Sequence, residues 1–255
     1  MAELIVRGVR LEYQRIGQTR SDRPTIVMLH EGLGSVSMWR DFPAQLATAT
    51  GAPLLLYSRQ GYGRSGRLNG KRPVTYLHAE ALEVLPSLLE QLDIRCPVLF
   101  GHSDGGSIAL IHAGSSDRSL AGVIVMAPHV MVEEISIKGI AAVRRAYLTT
   151  DLRARLARYH ENVDDAFWGW NDIWLDPAFR SWNIEEFLPR IRTPVLAIQG
   201  EKDEYGTMAQ IEHIERAAPR VTTVRLQNCG HAPHRDQPAV VLERIVHWLD
   251  CTIPK

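Results

Sequence analysis

The sequence has few cysteines and no excess of charge of either sign. Its three cysteines are an odd number at wide spacings, Cys96, Cys229 and Cys251. This pattern matches neither a disulfide framework nor a zinc site. The 29 basic residues balance the 29 acidic ones, so the chain lacks the basic excess that selects nucleic acid or an anionic membrane. The expected ligand is a small molecule.

Long hydrophobic runs are also missing. No stretch approaches the roughly 20 apolar residues of a membrane span, and the first ten residues, MAELIVRGVR, lack the apolar region and cleavage site of a secretory signal. We therefore expect a cytoplasmic protein without a membrane partner. The 255 residues, 45% of them hydrophobic, suffice for one large domain with an inserted subdomain. No feature of the sequence indicates an oligomeric state.

Short apolar runs recur along the chain instead. The first 16 residues alternate between apolar and polar positions, which predicts a pair of strands. Six later runs are typical of strands buried on both faces. They are PTIVMLH (24 to 30), PLLLYS (53 to 58), PVLFGH (97 to 102), LAGVIVMAP (120 to 128), PVLAIQG (194 to 200) and VTTVRL (221 to 226).

Segments with helical periodicity separate these runs. Between Tyr76 and Leu92, one helical stripe is predicted to hold five leucines, Leu82, Leu85, Leu88, Leu89 and Leu92. Strands that alternate with helices predict an α/β fold, in which a mostly parallel sheet is flanked by helices. The active site of such a fold is expected at the carboxyl ends of the strands.

One segment, from about 129 to 190, breaks this alternation. It has no strand-like run and shows helical patterns, such as the face formed by Leu148, Leu152, Leu156 and Tyr159. We predict a helical cap at 129–190, inserted between two parts of the core, 1–128 and 191–255. Aromatic residues at helical spacing usually pack together, but some of the cap's tryptophans are expected to line a substrate pocket. The candidates are Trp168, Trp170, Trp174 and Trp182.

The stretch LFGHSDGGSIAL (99 to 110) places a polar cluster between an apolar strand and a helical run. Gly101, Gly105 and Gly106 permit a sharp turn without Cβ clashes and leave Ser103 at its apex. A serine here could be a plain helix N-cap, but a cap does not require glycines on both sides. The pattern Gly-x-Ser-x-Gly between a strand and a helix is typical of a nucleophile elbow. On these residues the chain resembles the α/β-hydrolase superfamily from about residue 2 to 250.

The resemblance implies a catalytic triad in the chain order nucleophile, acid, histidine. A serine hydroxyl needs a base within hydrogen-bond reach. The segment CGHAPHRDQP (229 to 238) resembles the family's catalytic-histidine loop. Its Gly-His pair selects His231 as the base, and His234 remains an alternative.

The acid that orients this histidine is expected after the penultimate strand. The segment IQGEKDEYGT (198 to 207) supplies three carboxylates there. The family pattern of a glycine, two residues and an aspartate selects Asp203. Glu201 and Glu204 are expected to be solvated, although an acidic loop of this kind could hold a substitute.

The resemblance also implies an oxyanion hole made of two backbone N–H groups. One belongs to the residue after the nucleophile, Asp104. The other is expected in HEGLGS (30 to 35), at Gly32, with Leu33 as the alternative. Glu31 departs from the family pattern, which has a glycine at this position.

An unpaired carboxylate at position 31 would oppose the negative charge of the oxyanion. Glu31 is therefore expected to be turned away or paired, and Arg59 and Arg64 are the candidate partners. Both arginines lie in YSRQGYGRSG (57 to 66), a segment that resembles a family turn with a structural role.

A serine, a histidine, an aspartate and two amides predict acyl transfer to water without a metal or organic cofactor. We expect a hydrolase of small to medium hydrophobic carboxylic esters. A thioesterase stays open because the predicted cap has six basic residues, Lys138, Arg144, Arg145, Arg153, Arg155 and Arg158. A lactonase and a carbon–carbon bond hydrolase stay open too, although the latter enzymes typically carry Gly-Asn-Ser at the elbow. The alternative outside enzymes is a ligand receptor on the same fold.

Overall fold

Eight strands form one sheet in the computed structural model, within the residues that it describes, 1–17, 23–115 and 118–253. The sheet order is β1-β2-β4-β3-β5-β6-β7-β8, in which β2 pairs antiparallel with β1 and β4 and the other pairs are parallel. This confirms the predicted α/β fold, and each of the six apolar runs contains one strand. The strands are β1 Ala2–Val6, β2 Val9–Ile16, β3 Ile26–Leu29, β4 Leu54–Tyr57, β5 Val98–His102, β6 Gly122–Met126, β7 Val195–Gly200 and β8 Val221–Leu226.

The first two strands form the predicted pair, a hairpin that pairs Val6 with Val9. Its turn consists of Arg7 and Gly8, which have φ angles of 50° and 81°. Two-residue turns with positive φ at both positions match the right-handed twist of the flanking strands. The hairpin extends the parallel part of the sheet through β2 and β4.

Helices cover both faces of the sheet. One face packs against α1 and α10 and the other against α2, α3, α4 and α8. Both layers rest on strands whose side chains are buried. The helices are α1 Phe42–Thr50, α2 Tyr76–Ala79, α3 Leu85–Gln91, α4 Asp104–Ser115, α5 Glu134–Thr149, α6 Leu152–Leu156, α7 Val163–Trp174, α8 Ala209–Ala217, α9 Pro233–Asp236 and α10 Pro238–Thr252. None of the helices in the described ranges is long and apolar enough for a membrane span.

The predicted helix at 76–92 contains a π-helical segment, Glu80–Val84, between α2 and α3. A π-helix has more residues per turn than an α-helix, so the segment rotates the apolar stripe. Ala81 takes the buried position, and Leu82 is 44% exposed. The inclusion of Leu82 in the stripe was therefore wrong. The stripe is buried at the leucines that follow, Leu85, Leu88 and Leu89.

Between β6 and β7 the chain forms α5, α6, α7 and two 3₁₀ segments, Pro177–Ser181 and Glu185–Arg190. The predicted face that joins Leu148 to Leu152 does not form, because α5 ends at Thr149 and α6 begins after an extended residue. Leu148 is 65% exposed. The second 3₁₀ segment packs on α4. The division into core and cap at 129–190 stays a prediction.

Candidate active site

The elbow is the turn between β5 and α4. Ser103 lies between the two elements with a φ angle of 52°. Glycines allow this close approach: a Cβ atom on Gly101 would lie 2.1 Å from the carbonyl oxygen of Gly105, and one on Gly105 would lie 2.0 Å from that of Leu29. A larger residue at either position would displace the backbone of the turn. The positive φ of Ser103 is strained for a residue with a side chain, and strain of this kind clusters at functional sites.

Three side chains that are distant in sequence meet at this elbow. The Oγ atom of Ser103 lies 3.0 Å from Nε2 of His231. Nδ1 of the same ring lies 2.9 Å from both carboxylate oxygens of Asp203. Ser103 follows β5, Asp203 follows β7, and His231 lies between β8 and α9. The contacts form a continuous path from hydroxyl to imidazole to carboxylate.

The surroundings of this path favour an ionised carboxylate and a basic imidazole. Burial alone would raise the pKa of Asp203, but the hydrogen bond and the charge of His231, with the backbone N–H of Tyr205, hold this pKa below its ordinary value. Burial alone would lower the pKa of His231, yet the hydrogen bond and the charge of Asp203 outweigh it and raise the pKa. The imidazole is thus suited to accept a proton.

The side chains of the alternative residues do not form hydrogen bonds with Ser103 Oγ or with the His231 ring. His234 packs against Trp39 and Phe42, with ring centroids 5.1 and 5.4 Å apart. Burial lowers its pKa to about 2, so its ring is a poor base. Glu201 and Glu204 are exposed, and the Oε2 atom of Glu204 accepts a hydrogen bond from the backbone N–H of residue 231 at 3.3 Å.

The predicted oxyanion loop follows β3 and borders a cavity of about 260 Å³ above the serine. Gly32, Leu33 and Asp104 all line this cavity. A Cβ atom on Gly32 would lie 2.1 Å from Nε1 of Trp170, so the loop presses against α7. The roles of the Gly32 and Asp104 amides as oxyanion donors stay predictions.

A buried arginine, Arg59, holds the backbone of the predicted oxyanion loop by hydrogen bonds. The guanidinium of Arg59 donates to the carbonyl oxygens of His30 at 2.7 Å and Glu31 at 3.0 Å. It also lies 3.5 Å from Oδ2 of Asp104. The carboxylate of Asp104 accepts two more hydrogen bonds, from Tyr76 Oη at 2.7 Å and Trp174 Nε1 at 3.2 Å. The network joins the oxyanion loop, the elbow and α7.

The Arg59→Met variant is expected to destabilise the protein by about 3–5 kcal/mol, because it leaves the carboxylate of Asp104 buried without its cation. The loss is measured as the free energy of unfolding in urea at neutral pH. Arg64→Met removes an exposed arginine from the same loop, and its effect should stay within about 0.5 kcal/mol. Equal losses in the two variants would contradict a supporting role of Arg59.

The carboxylate of Glu31 has partners that the sequence did not indicate. Its oxygens lie 3.5 Å from Arg235 and 3.6 Å from Nδ1 of His102. Burial alone would raise the pKa of Glu31, but the contact with His102 and the charge of Arg235 hold it well below its ordinary value. The expected pairing with the side chain of Arg59 or Arg64 is wrong: Arg59 contacts only the backbone of residue 31, and Arg64 is exposed.

Two of the four candidate tryptophans line the cavity. Trp170 and Trp174 are four residues apart on α7, so they share the face above Ser103. Trp168 and Trp182 do not line it, which corrects that prediction. Trp168 lies on another face of α7 and packs against Tyr147. Trp182 stacks on Phe179 with ring centroids 5.3 Å apart.

The remaining walls of the cavity combine apolar side chains with a few polar groups. His129 and Tyr205 were not among the candidate site residues. A signal for His129 was present, since it follows a buried strand at the carboxyl edge of the sheet, where ligands bind in this fold class. The further lining residues are Glu31, Ile140, Val143, Leu152, His129 and Tyr205. The described ranges contain no group of His, Cys, Asp and Glu side chains that could hold a metal ion.

The sequence model of the alpha/beta hydrolase family matches residues 26–244, which include Ser103, Asp203 and His231. The chain belongs to the alpha/beta hydrolase family. This confirms the resemblance drawn from the elbow and from the order of the motifs.

Relatives of this alpha/beta hydrolase have names that support hydrolysis as its general activity. A proline iminopeptidase from Levilactobacillus brevis is 23% identical over 283 residues, which cover 95% of this chain and 94% of the relative. Serine hydrolase BPHL from Mus musculus is 26% identical over 216 residues, which cover 79% of this chain and 70% of the relative. The solved structure of the enol-lactonase from Burkholderia xenovorans LB400 shares the fold, with a TM-score of 0.77 at 21% sequence identity. The match covers 98% of this chain and 100% of the enol-lactonase chain.

Proposed function

We propose that this alpha/beta hydrolase is a serine hydrolase that cleaves small to medium, hydrophobic carboxylic esters. Ser103 is the nucleophile, His231 the base and Asp203 the residue that orients the base. The observation that carries the proposal is the 3.0 Å contact between Ser103 Oγ and His231 Nε2, at the floor of a cavity with apolar walls. A nucleophile and a base within this distance are the requirement for activating a serine.

In the first step, Ser103 Oγ attacks the ester carbonyl and its proton moves to Nε2 of His231. Asp203 accepts the hydrogen bond from Nδ1, which fixes the tautomer and stabilises the imidazolium. The negative charge develops on the carbonyl oxygen, and the backbone N–H groups of Gly32 and Asp104 are the proposed donors to it. His231 then gives its proton to the leaving alcohol.

In the second step, water attacks the acyl-enzyme. His231 takes a proton from the water, and the acid product leaves as Ser103 regains its hydrogen. Glu31 also lines the cavity, and its ionised carboxylate stays paired with Arg235 and His102 during this step. This pairing limits the repulsion between Glu31 and the oxyanion.

The walls of the cavity support an apolar substrate. The cavity has a volume of about 260 Å³. This is below the 300–1,000 Å³ common for pockets that bind drug-sized ligands, so the cavity suits a small to medium substrate. The helices between β6 and β7 supply most of the apolar wall, and we propose that residues 129–190 act as a cap that sets the acyl preference. The apolar wall residues from these helices are Ile140, Val143, Leu152, Trp170 and Trp174.

A thioesterase with an anionic carrier has less support. Three of the basic residues between 138 and 158 already pair with carboxylates of the segment between β6 and β7. The pairs are Arg144 with Asp172, Arg153 with Asp164 and Arg155 with Asp151. They therefore belong to a solvated, charge-balanced helix surface.

Release of an N-terminal residue from a peptide is the second candidate function. It is favoured by relatives named proline iminopeptidase and by two carboxylates, Glu31 and Asp104, that line the cavity and could meet an ammonium group. Both carboxylates already have donors in the protein, so we place ester hydrolysis first.

The test compares p-nitrophenyl esters from acetate to dodecanoate with prolyl p-nitroanilide. We expect the highest kcat/KM at short or medium acyl chains, since the cavity cannot enclose a long one. A higher kcat/KM for the prolyl anilide would favour the second candidate. Turnover by the wild type that is no faster than by Ser103→Ala on esters, thioesters, lactones and anilides would leave the receptor hypothesis ahead.

A further inference from the structure

The imidazole of His129 has no role in the mechanism above, although it lines the same cavity. It follows β6 and is 3% exposed. Its ring meets Trp174 edge to face at a centroid distance of 4.9 Å and lies 5.8 Å from the ring of His231. Neither ring nitrogen forms a hydrogen bond within the part of the chain that the structure describes.

An unpartnered polar group in this position is unusual. Buried polar atoms without a partner lose their hydrogen bonds to water on folding, so proteins retain few of them. Several buried atoms of the described chain lack a partner, but the Nδ1 atom of His129 is the one that belongs to a residue of the catalytic cavity. The other ring nitrogen, Nε2, also forms no hydrogen bond within the described residues, and it is not enclosed in the same way. Because His129 lines the cavity, a ligand there can supply the bond that the protein does not give to Nε2.

We propose that His129 is a specificity-determining residue that hydrogen-bonds an uncharged hydroxyl or carbonyl group of the substrate, near the ester carbonyl that Ser103 attacks. This inference rests on the proposed function, because it names the kind of ester that the same site prefers. The hydrophobic ester of that proposal then carries one additional polar group.

The geometry sets which nitrogen acts and how far it reaches. Nδ1 is fully enclosed on the side of Gly206, whose Cβ position would lie 3.6 Å from it, so Nε2 is the nitrogen open to a ligand. The attacked carbon lies about 3 Å from the serine oxygen and a hydrogen bond spans about 3 Å. With 5.8 Å between the two imidazole rings, the polar group is expected about three or four bonds from the carbonyl carbon.

The protonation state of the ring selects uncharged groups. Burial, and then the charge of His231, lower the pKa of His129 to about 3. The neutral ring has one N–H donor and one acceptor nitrogen. It therefore suits a hydroxyl or a carbonyl and gives no ionic attraction to a carboxylate.

Three esters that differ in one hydroxyl test the proposal: ethyl butyrate, ethyl 3-hydroxybutyrate and 2-hydroxyethyl butyrate. We expect the wild type to prefer one of the hydroxy esters, and His129→Leu to lower that preference, the ratio of kcat/KM values, by about tenfold. The ester that loses its advantage tells whether the polar group lies on the acyl or the alcohol side. No preference for either hydroxy ester in the wild type, or the same ratio in the leucine variant, would overturn the proposal.

Two further variants separate recognition from folding. His129→Gln carries an amide near the place of Nε2 and should keep part of the preference, whereas His129→Asn reaches only the place of Nδ1 and should lose it. These two variants test the proposal even when the leucine variant does not fold. Equal ratios for Gln and Asn would count against it.

The control is His234→Leu, which removes another buried imidazole with two unpartnered nitrogens from outside the cavity. It should keep the wild-type ratio. Ser103→Ala is assayed with the same esters: loss of ethyl butyrate hydrolysis together with an unchanged ratio in His129→Leu refutes only the role of His129. Retained hydrolysis by Ser103→Ala refutes the proposed function itself.

Discussion

Ser103→Ala is expected to lower kcat for ester hydrolysis by roughly 10⁶-fold, the effect typical of removing a triad serine. The variant loses the atom that attacks the carbonyl, while the cavity and the proposed oxyanion donors stay. Its fold should be retained, because the hydroxyl makes one hydrogen bond, to His231, and alanine keeps the Cβ atom and adds no bulk at this position. Initial rates with p-nitrophenyl butyrate and the unfolding midpoint in urea measure the two effects.

Ser115→Ala is the control for this prediction. Ser115 lies at the other end of α4, where its hydroxyl donates to the carbonyl oxygen of Ile111 at 2.6 Å, and its removal should leave kcat unchanged. A fluorophosphonate should add one mass increment to the wild type, on the peptide that contains Ser103, and none to Ser103→Ala. Wild-type kcat in the alanine variant would refute the role of this serine.

Asp203→Asn is expected to lower kcat by about 10⁴-fold through a change of tautomer. Oδ1 of Asp203 accepts hydrogen bonds from the backbone N–H groups of Tyr205 and Gly206, so an asparagine keeps its carbonyl oxygen there. Its NH₂ group then takes the place of Oδ2 and faces Nδ1 of His231. The Nε2 group of Gln199, which donates to Oδ2 in the wild type, loses its acceptor there. Donation to Nδ1 puts the imidazole proton on Nε2, the nitrogen that must accept the serine proton.

The pH profile gives this prediction a second readout. In the wild type kcat/KM should rise with pH as His231 loses its proton, with a midpoint above 6.5, because Asp203 raises the pKa of the imidazole above that ordinary value. Without the carboxylate, burial prevails and the residual activity should have its midpoint at lower pH. Glu201→Gln removes an exposed carboxylate of the same loop and should change neither kcat nor the midpoint. A midpoint that stays in place in Asp203→Asn would contradict the assignment.

The sequence predicted the parts of the molecule that depend on local patterns. Buried parallel strands are continuous apolar runs, and the elbow needs small residues at fixed positions, so β3 to β7 and the turn around Ser103 could be predicted without knowing their neighbours. VTTVRL (221 to 226) forms the predicted strand β8, but β8 lies at the edge of the sheet and only Leu226 is buried, so its burial on both faces was wrong. The resemblance to the family selected Ser103, Asp203 and His231, and each of them follows a strand of the parallel part of the sheet. Their proximity in space follows from the topology, because the carboxyl ends of parallel strands lie at one edge of the sheet.

The parts that the sequence did not reveal depend on contacts between distant residues or on helix phase. The pairing of Glu31 with Arg235 joins positions 204 residues apart, and no local pattern encodes it. The π-helical segment turned Leu82 outward, although its spacing matched an α-helix. Trp168 and Trp170 are the same residue type in the same helix, so the sequence alone did not distinguish them. Trp168 lies outside the cavity because it is on another face of α7.

Trp174 limits how the cavity of this alpha/beta hydrolase can be enlarged for the proposed acyl group. Its indole forms part of the cavity wall, yet its Nε1 atom donates to the carboxylate of Asp104 and to Tyr76 Oη. Replacing it to admit bulkier acids would disturb the residue that carries a proposed oxyanion amide, so selectivity and rate would change together. Directed evolution toward larger acyl groups has more freedom at wall positions with purely apolar side chains, Ile140, Val143 and Leu152.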